Sequence, residues 1–123
     1  MRENIVKIVR SVGYSINGLK NAYRRDKSFR MEVWGSVAFL AFGYLFWPLE
    51  PYEFLFLSLS FCLILIAELI NTAFERALER LHPEHHELIG ASKDIASAAV
   101  LIAFVFAIIV GLTIIINHAK FRF

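Results

Sequence analysis

Phe54-Leu55-Phe56-Leu57-Ser58-Leu59-Ser60-Phe61-Cys62-Leu63-Ile64-Leu65-Ile66-Ala67 carries no charge, and it runs directly into Glu68-Leu69-Ile70-Asn71-Thr72-Ala73-Phe74-Glu75. A membrane-spanning helix needs about 20 largely apolar residues. The uncharged part alone falls short, so it spans only if the helix continues past Glu68 to about Phe74. That reading puts an ionisable group in an apolar helix at membrane depth. Such a group costs at least about 2.5 kcal/mol at a helix centre, and its default meaning is a functional site.

Two further uncharged stretches flank this one, Val33 to Leu49 and Ile95 to Asn117. The second is long enough by itself. The first is short, but Trp34 and Trp47 sit at its ends, where aromatic residues mark membrane interfaces. Three spans result. The first connection, Trp47-Pro48-Leu49-Glu50-Pro51-Tyr52-Glu53, has two helix-breaking prolines and no Lys or Arg. The second, roughly Arg76 to Lys93, is charged and holds His82, Pro83, His85, His86 and Gly90.

Hydrophobic residues make up 58% of the 123-residue chain, and twelve are Phe, too many for a small water-soluble monomer to bury. Of thirteen basic residues, eight precede Glu32. A basic head on an apolar body fits anionic lipid headgroups. No basic-aromatic motif accompanies it, so nucleic acid is not an expected partner. By the distribution of Lys and Arg, the N-terminus and the second connection are cytoplasmic and the first connection is outside. Lys120 and Arg122 weigh mildly against an outside C-terminus. The lone Cys62 excludes an internal disulfide, and no cleavable leader is expected.

Before the first span, Ile5, Ile8, Val9, Val12, Ile16, Leu19 and Tyr23 recur at helical spacing, with Lys7, Arg10, Asn17, Asn21 and Arg24 on other faces. This is an amphipathic helix lying on the membrane surface, with Gly13 and Gly18 as candidate breaks. The expected fold is an all-α membrane protein with one domain over residues 1–123. Its surface helix covers about 4–28, and its spans about 31–49, 52–75 and 93–118.

Glu68, Asn71 and Glu75 are spaced by three and four, so they share a helix face. Lys93, Asp94 and Ser97 open the third span, where small residues at 96–99 permit close helix approach. Under this topology Asp26, Glu32, Glu68, Glu75 and Asp94 gather at one membrane face, interleaved with bases. Carboxylates suit Mg²⁺, and Lys and Arg suit phosphates. The combination points to phosphoryl transfer at the interface. Neither a Gly-x-x-x-x-Gly-Lys-Ser/Thr loop nor Gly-x-Gly-x-x-Gly occurs, so neither common kinase class applies. The His82-to-Glu87 run is poorly spaced for tight metal binding.

The run 68–75, then Glu84-His85-His86-Glu87-Leu88, then Lys93-Asp94 with Ser97-Ala98-Ala99-Val100, resembles the prokaryotic diacylglycerol kinase family. Gly13-Tyr14-Ser15, Gly18-Leu19 and Phe29-Arg30 with Glu32 match its N-terminal pattern. The resemblance runs from about Ile5 to Asn117. It implies a homotrimeric lipid kinase of the bacterial inner membrane, using MgATP to convert diacylglycerol to phosphatidic acid at sites shared between subunits.

By that resemblance Glu68 is the general base. Glu75 is a metal-binding carboxylate, and its partner falls on Asp26, where the family usually has the longer glutamate. Lys7, Tyr14, Asp26, Glu75, Glu84, His85, His86, Lys93 and Asp94 match ATP-binding positions. Lys7 replaces the usual arginine, which removes any bidentate phosphate contact. Lys7, Arg30, Glu32, Glu68, Asn71 and Ser97 match positions around the lipid substrate. The same family includes undecaprenol kinases. Those often carry proline after the loop histidine, whereas Glu87 follows His86 here. A non-catalytic small membrane protein is the competing class; it would explain the spans but not the gathered carboxylates and bases.

Overall fold

The computed structural model describes residues 1–84 and 86–122. Among the described residues four helices follow one another: α1 (Arg2–Arg25), α2 (Lys27–Leu45), α3 (Pro51–Leu81) and α4 (Glu87–Arg122). The all-α expectation holds. Two of the helices, α3 and α4, are long and apolar enough to cross a membrane. At 1.5 Å per residue the 31 residues of α3 extend about 46 Å, well beyond a hydrocarbon layer of about 30 Å. The charged turns from Glu75 onward therefore continue the helix past the apolar layer.

Several element boundaries differ from the sequence reading, among them the end of α2 at Leu45 instead of 49. First, α1 is continuous through Gly13 and Gly18, and neither glycine takes a positive φ. Second, the joint between α1 and α2 is the single extended residue Asp26, slightly earlier than the expected 28–31. Third, the charged connection shrinks to the residues between Leu81 and Glu87. Glu, Arg, Ala and Leu are strong helix formers, so nothing stops α3 until Pro83 approaches.

The helix termini have local causes. Asp26 is the N-cap of α2, its carboxylate accepting from the Ser28 amide at 3.0 Å. Pro51 occupies the start of α3, behind a reciprocal capping box between Glu50 and Glu53. Arg30 reaches back from α2, its Nη1 donating to the carbonyls of Tyr23 (2.9 Å) and Arg24 (2.8 Å) at the end of α1. Those carbonyls lack helical partners, so Arg30 caps α1 as it starts α2.

The core lies along the antiparallel α3–α4 seam. Leu57 packs with Val110 and Ile114, and Ile64 with Ala103 and Ala107. Alanines four apart let the two backbones approach closely. Phe39, Phe42 and Phe46 bring α2 against the same seam. On α3 the buried positions are Glu53, Leu57, Ser60, Ile64, Glu68, Asn71 and Thr72, one helical stripe with Leu57 and Ile64 between the carboxylates of Glu53 and Glu68.

At the N-terminal end of this stripe, Glu53 is only 3% exposed. Its Oε1 accepts from the Glu50 amide at 2.9 Å and lies 3.3 Å from Nε2 of His118 on α4. Phe46 meets the His118 ring edge-on, with centroids 5.5 Å apart, so three helices converge here. Removing the imidazole would leave a buried carboxylate with a poorer set of partners. We expect His118→Ala to lose about 1–3 kcal/mol of stability, read as a lower unfolding temperature in detergent. An unchanged temperature would show that the pair contributes nothing.

Candidate active site

Three carboxylates lie within electrostatic reach of Glu68 where the α1–α2 joint meets α3. Glu68 is 6% exposed, and Asp26, Glu32 and Glu75 are close enough to act on its charge. They come from three sources: Asp26 from the joint, Glu32 from the first turns of α2, and Glu68 and Glu75 from one face of α3. Asn71, between the two α3 glutamates, is buried as well. Its Nδ2 donates to Glu75 Oε1 at 3.4 Å, while its buried Oδ1 has no partner among the described residues.

Two contacts tie the joint to α3. The Thr72 hydroxyl donates to Asp26 Oδ2. One turn on, Arg76 donates to Asn21 Oδ1 at 2.7 Å. A cleft of about 730 Å³ opens between α1 and α3 around these residues, lined by Ser15, Asn17, Asn21, Thr72 and Arg76 among others. Thr72, Asn21 and Arg76 are not among the site residues expected from the sequence. Thr72 carried a usable signal, since it lies one turn from Glu68 on the same helix.

A second cleft, of about 560 Å³, lies between the end of α3 and the start of α4. Glu79, His82, Glu84, His86, Lys93 and Asp94 line it. Lys93 Nζ and Glu79 Oε1 are 3.3 Å apart across its mouth. An exposed pair of this kind is worth at most about 1 kcal/mol, so a phosphate could displace Glu79 from Lys93 at little cost. The cleft is charged and exposed, and it sets Lys93 and two imidazoles among the carboxylates of Glu79, Glu84 and Asp94.

Beyond these features, the comparison with known sequences is decisive: the prokaryotic diacylglycerol kinase model matches residues 13–115. The chain belongs to the prokaryotic diacylglycerol kinase family. Diacylglycerol kinase of Escherichia coli strain K12 is 35% identical to it over 113 residues, covering 91% of each chain. The Haemophilus influenzae diacylglycerol kinase is 32% identical over 99 residues, 80% of this chain and 83% of that one. Undecaprenol kinase of Bacillus subtilis strain 168 is 28% identical over 113 residues, 92% of this chain and 91% of that one.

Set against this family, the fold of one chain collects part of the expected constellation. Asp26, Glu32, Glu68, Asn71 and Glu75 come together at the joint. Glu84, His86, Lys93 and Asp94 come together at the second cleft. Arg30 stands beside the joint with its guanidinium engaged by the α1 carbonyls. Ser97 is exposed on α4, one turn beyond Asp94 and Lys93. Lys7 and Tyr14 are exposed on α1 and line neither cleft. His85 lies outside the described residues.

Among the described residues no group of three or more His, Cys, Asp or Glu side chains could hold a metal by itself. Magnesium on a phosphoryl-transfer enzyme does not need that many. It is bound through one or two carboxylates plus substrate phosphates, all hard oxygen donors. Asp26, Glu75 and the unpartnered Asn71 Oδ1 are donors of that kind, so the residues present fit the ion.

Proposed function

We propose that the protein is an ATP- and Mg²⁺-dependent diacylglycerol kinase of a bacterial inner membrane. The reading is carried by one observation: a glutamate buried on an apolar helix, with three carboxylates from α2, α3 and the joint before α2 near enough to act on its charge. In this reading α2 is a third span, and α1 lies on the cytoplasmic surface. Lys7 and Tyr14 complete the site of a neighbouring subunit in a homotrimer.

Lys93, Asp94, Glu84 and His86 bind the nucleotide at the second cleft, with Lys93 drawn from Glu79 to phosphate, and His85 is a further nucleotide-binding residue. Arg30, Glu32, Asn71 and Ser97 position the glycerol end of the lipid at the interface. The Glu68 carboxylate takes the proton of the free lipid hydroxyl. The hydroxyl oxygen forms a bond to the γ-phosphorus of ATP, and the bond from that phosphorus to the β,γ-bridging oxygen breaks. ADP and phosphatidic acid leave. Asp26 and Glu75, with Asn71, would hold Mg²⁺, which neutralises phosphate charge when bound. Positioning and charge neutralisation supply most of the rate, as in phosphoryl transfer generally.

The higher identity to diacylglycerol kinases, and Glu87 after His86, support diacylglycerol as the acceptor. A polyprenol acceptor is the second reading, favoured by the undecaprenol kinase among its relatives. Purified protein in lipid or detergent should be given labelled ATP with diacylglycerol, undecaprenol or no lipid. Label in phosphatidic acid is the expected result. Preferential labelling of undecaprenol would establish the second reading, and transfer to neither alcohol would sink both.

A further inference from the structure

Resting on the proposed metal role of Asp26 and Glu75, we infer that Thr72 is a positioning residue that sets the separation of these two carboxylates. Asp26 is the one extended residue between α1 and α2. Its backbone is tied to both helices, the N–H donating to the Ala22 carbonyl and the carbonyl accepting from the Arg30 amide, so what is left to fix is the aim of its side chain. Each carboxylate oxygen accepts one bond inside the chain: Oδ1 from the Ser28 amide, Oδ2 from the Thr72 hydroxyl. A carboxylate has about four lone-pair sites, so both oxygens keep acceptor capacity for a cation.

The two bonds differ in what they fix. The Ser28 bond is local to α2 and would turn with the joint. The Thr72 bond crosses to α3, and Thr72 stands three residues before Glu75 on that helix. Residues three apart on a helix are neighbours in a rigid frame. Anchoring Asp26 to Thr72 therefore anchors it to Glu75. The Arg76–Asn21 bond, one turn further along α3, holds the end of α1 in the same register. Aspartate has a short reach, so a small swing of the joint would separate the two carboxylates. Partners of metal ligands typically change metal affinity about 10–100-fold when removed.

The test uses the full-length protein in detergent with a non-hydrolysable ATP analogue. Bound Mn²⁺ is read directly by electron paramagnetic resonance, with Mg²⁺ dependence of the rate alongside. Thr72→Val should weaken Mn²⁺ binding about 10-fold and raise the half-saturating Mg²⁺ in proportion. The rate at saturating Mg²⁺ should fall far less. Thr72→Ser, which restores the hydroxyl, should restore the affinity. Added to Asp26→Asn, Thr72→Val should cost nothing more, because its target is already lost.

Wild-type Mn²⁺ affinity in Thr72→Val, with affinity lost in Asp26→Asn, would overturn the role of Thr72 and leave the metal reading standing. Equal losses in Thr72→Val and Thr72→Ser would overturn it in favour of a steric effect. Wild-type affinity in Asp26→Asn would overturn both.

Discussion

Glu68→Gln should lower turnover at least about 100-fold while leaving nucleotide binding nearly intact. Glutamine keeps the size and shape of the side chain but cannot take a proton from a lipid hydroxyl. A hundredfold loss corresponds to about 2.7 kcal/mol of transition-state stabilisation, within the range of a general base. The same change removes one of four crowded carboxylates, so the folded state should gain stability or keep it. A lower rate in a protein with an equal or higher unfolding temperature separates chemistry from folding. The affinity for an ATP analogue completes the measurement. Near-normal turnover with saturating lipid would reject Glu68 as the base.

Glu75→Ala should shift the Mg²⁺ dependence of the rate by about 10-fold or more and lower its plateau. Two things are lost together in that variant. One is an oxygen donor, and the other is the acceptor for Asn71 Nδ2. Glu75→Gln separates them, because its amide oxygen can still accept from Asn71 while the charge is gone. A metal role predicts that the glutamine variant behaves like the alanine variant. An unchanged Mg²⁺ titration in both would count against Glu75 as a ligand.

The helical architecture was legible because hydrophobicity and charge are segregated along this chain. Three uncharged stretches, and the spacing of Ile5 to Tyr23, located all four helices. Glu68, Asn71 and Glu75 were legible as a face because helical periodicity alone brings them together. The joint was harder. Apolar spacing gives no warning at Asp26, and only an Asp followed two residues later by Ser28 marks the cap. In the sequence Glu53 lies where the first connection overlaps the second span, yet it is among the most buried side chains of α3. Its partner lies 65 residues away, and only the register of the α3–α4 seam brings them together. The Thr72–Asp26 bond, spanning 46 residues, was hidden for the same reason. Local pattern predicts a face, but what that face meets depends on how the helices cross.

The single-residue joint also bears on how such a chain can vary in length. An added residue in an α-helix turns everything after it by about 100°. Between α1 and α2 there is no loop to absorb that rotation. One insertion after Asp26 would turn Arg30 from the α1 carbonyls, or lift α1 from Thr72 and Arg76. The two other connections, on either side of α3, are each several residues long. Insertions and deletions should therefore accumulate at those turns, and residues 21 to 32 should keep their length.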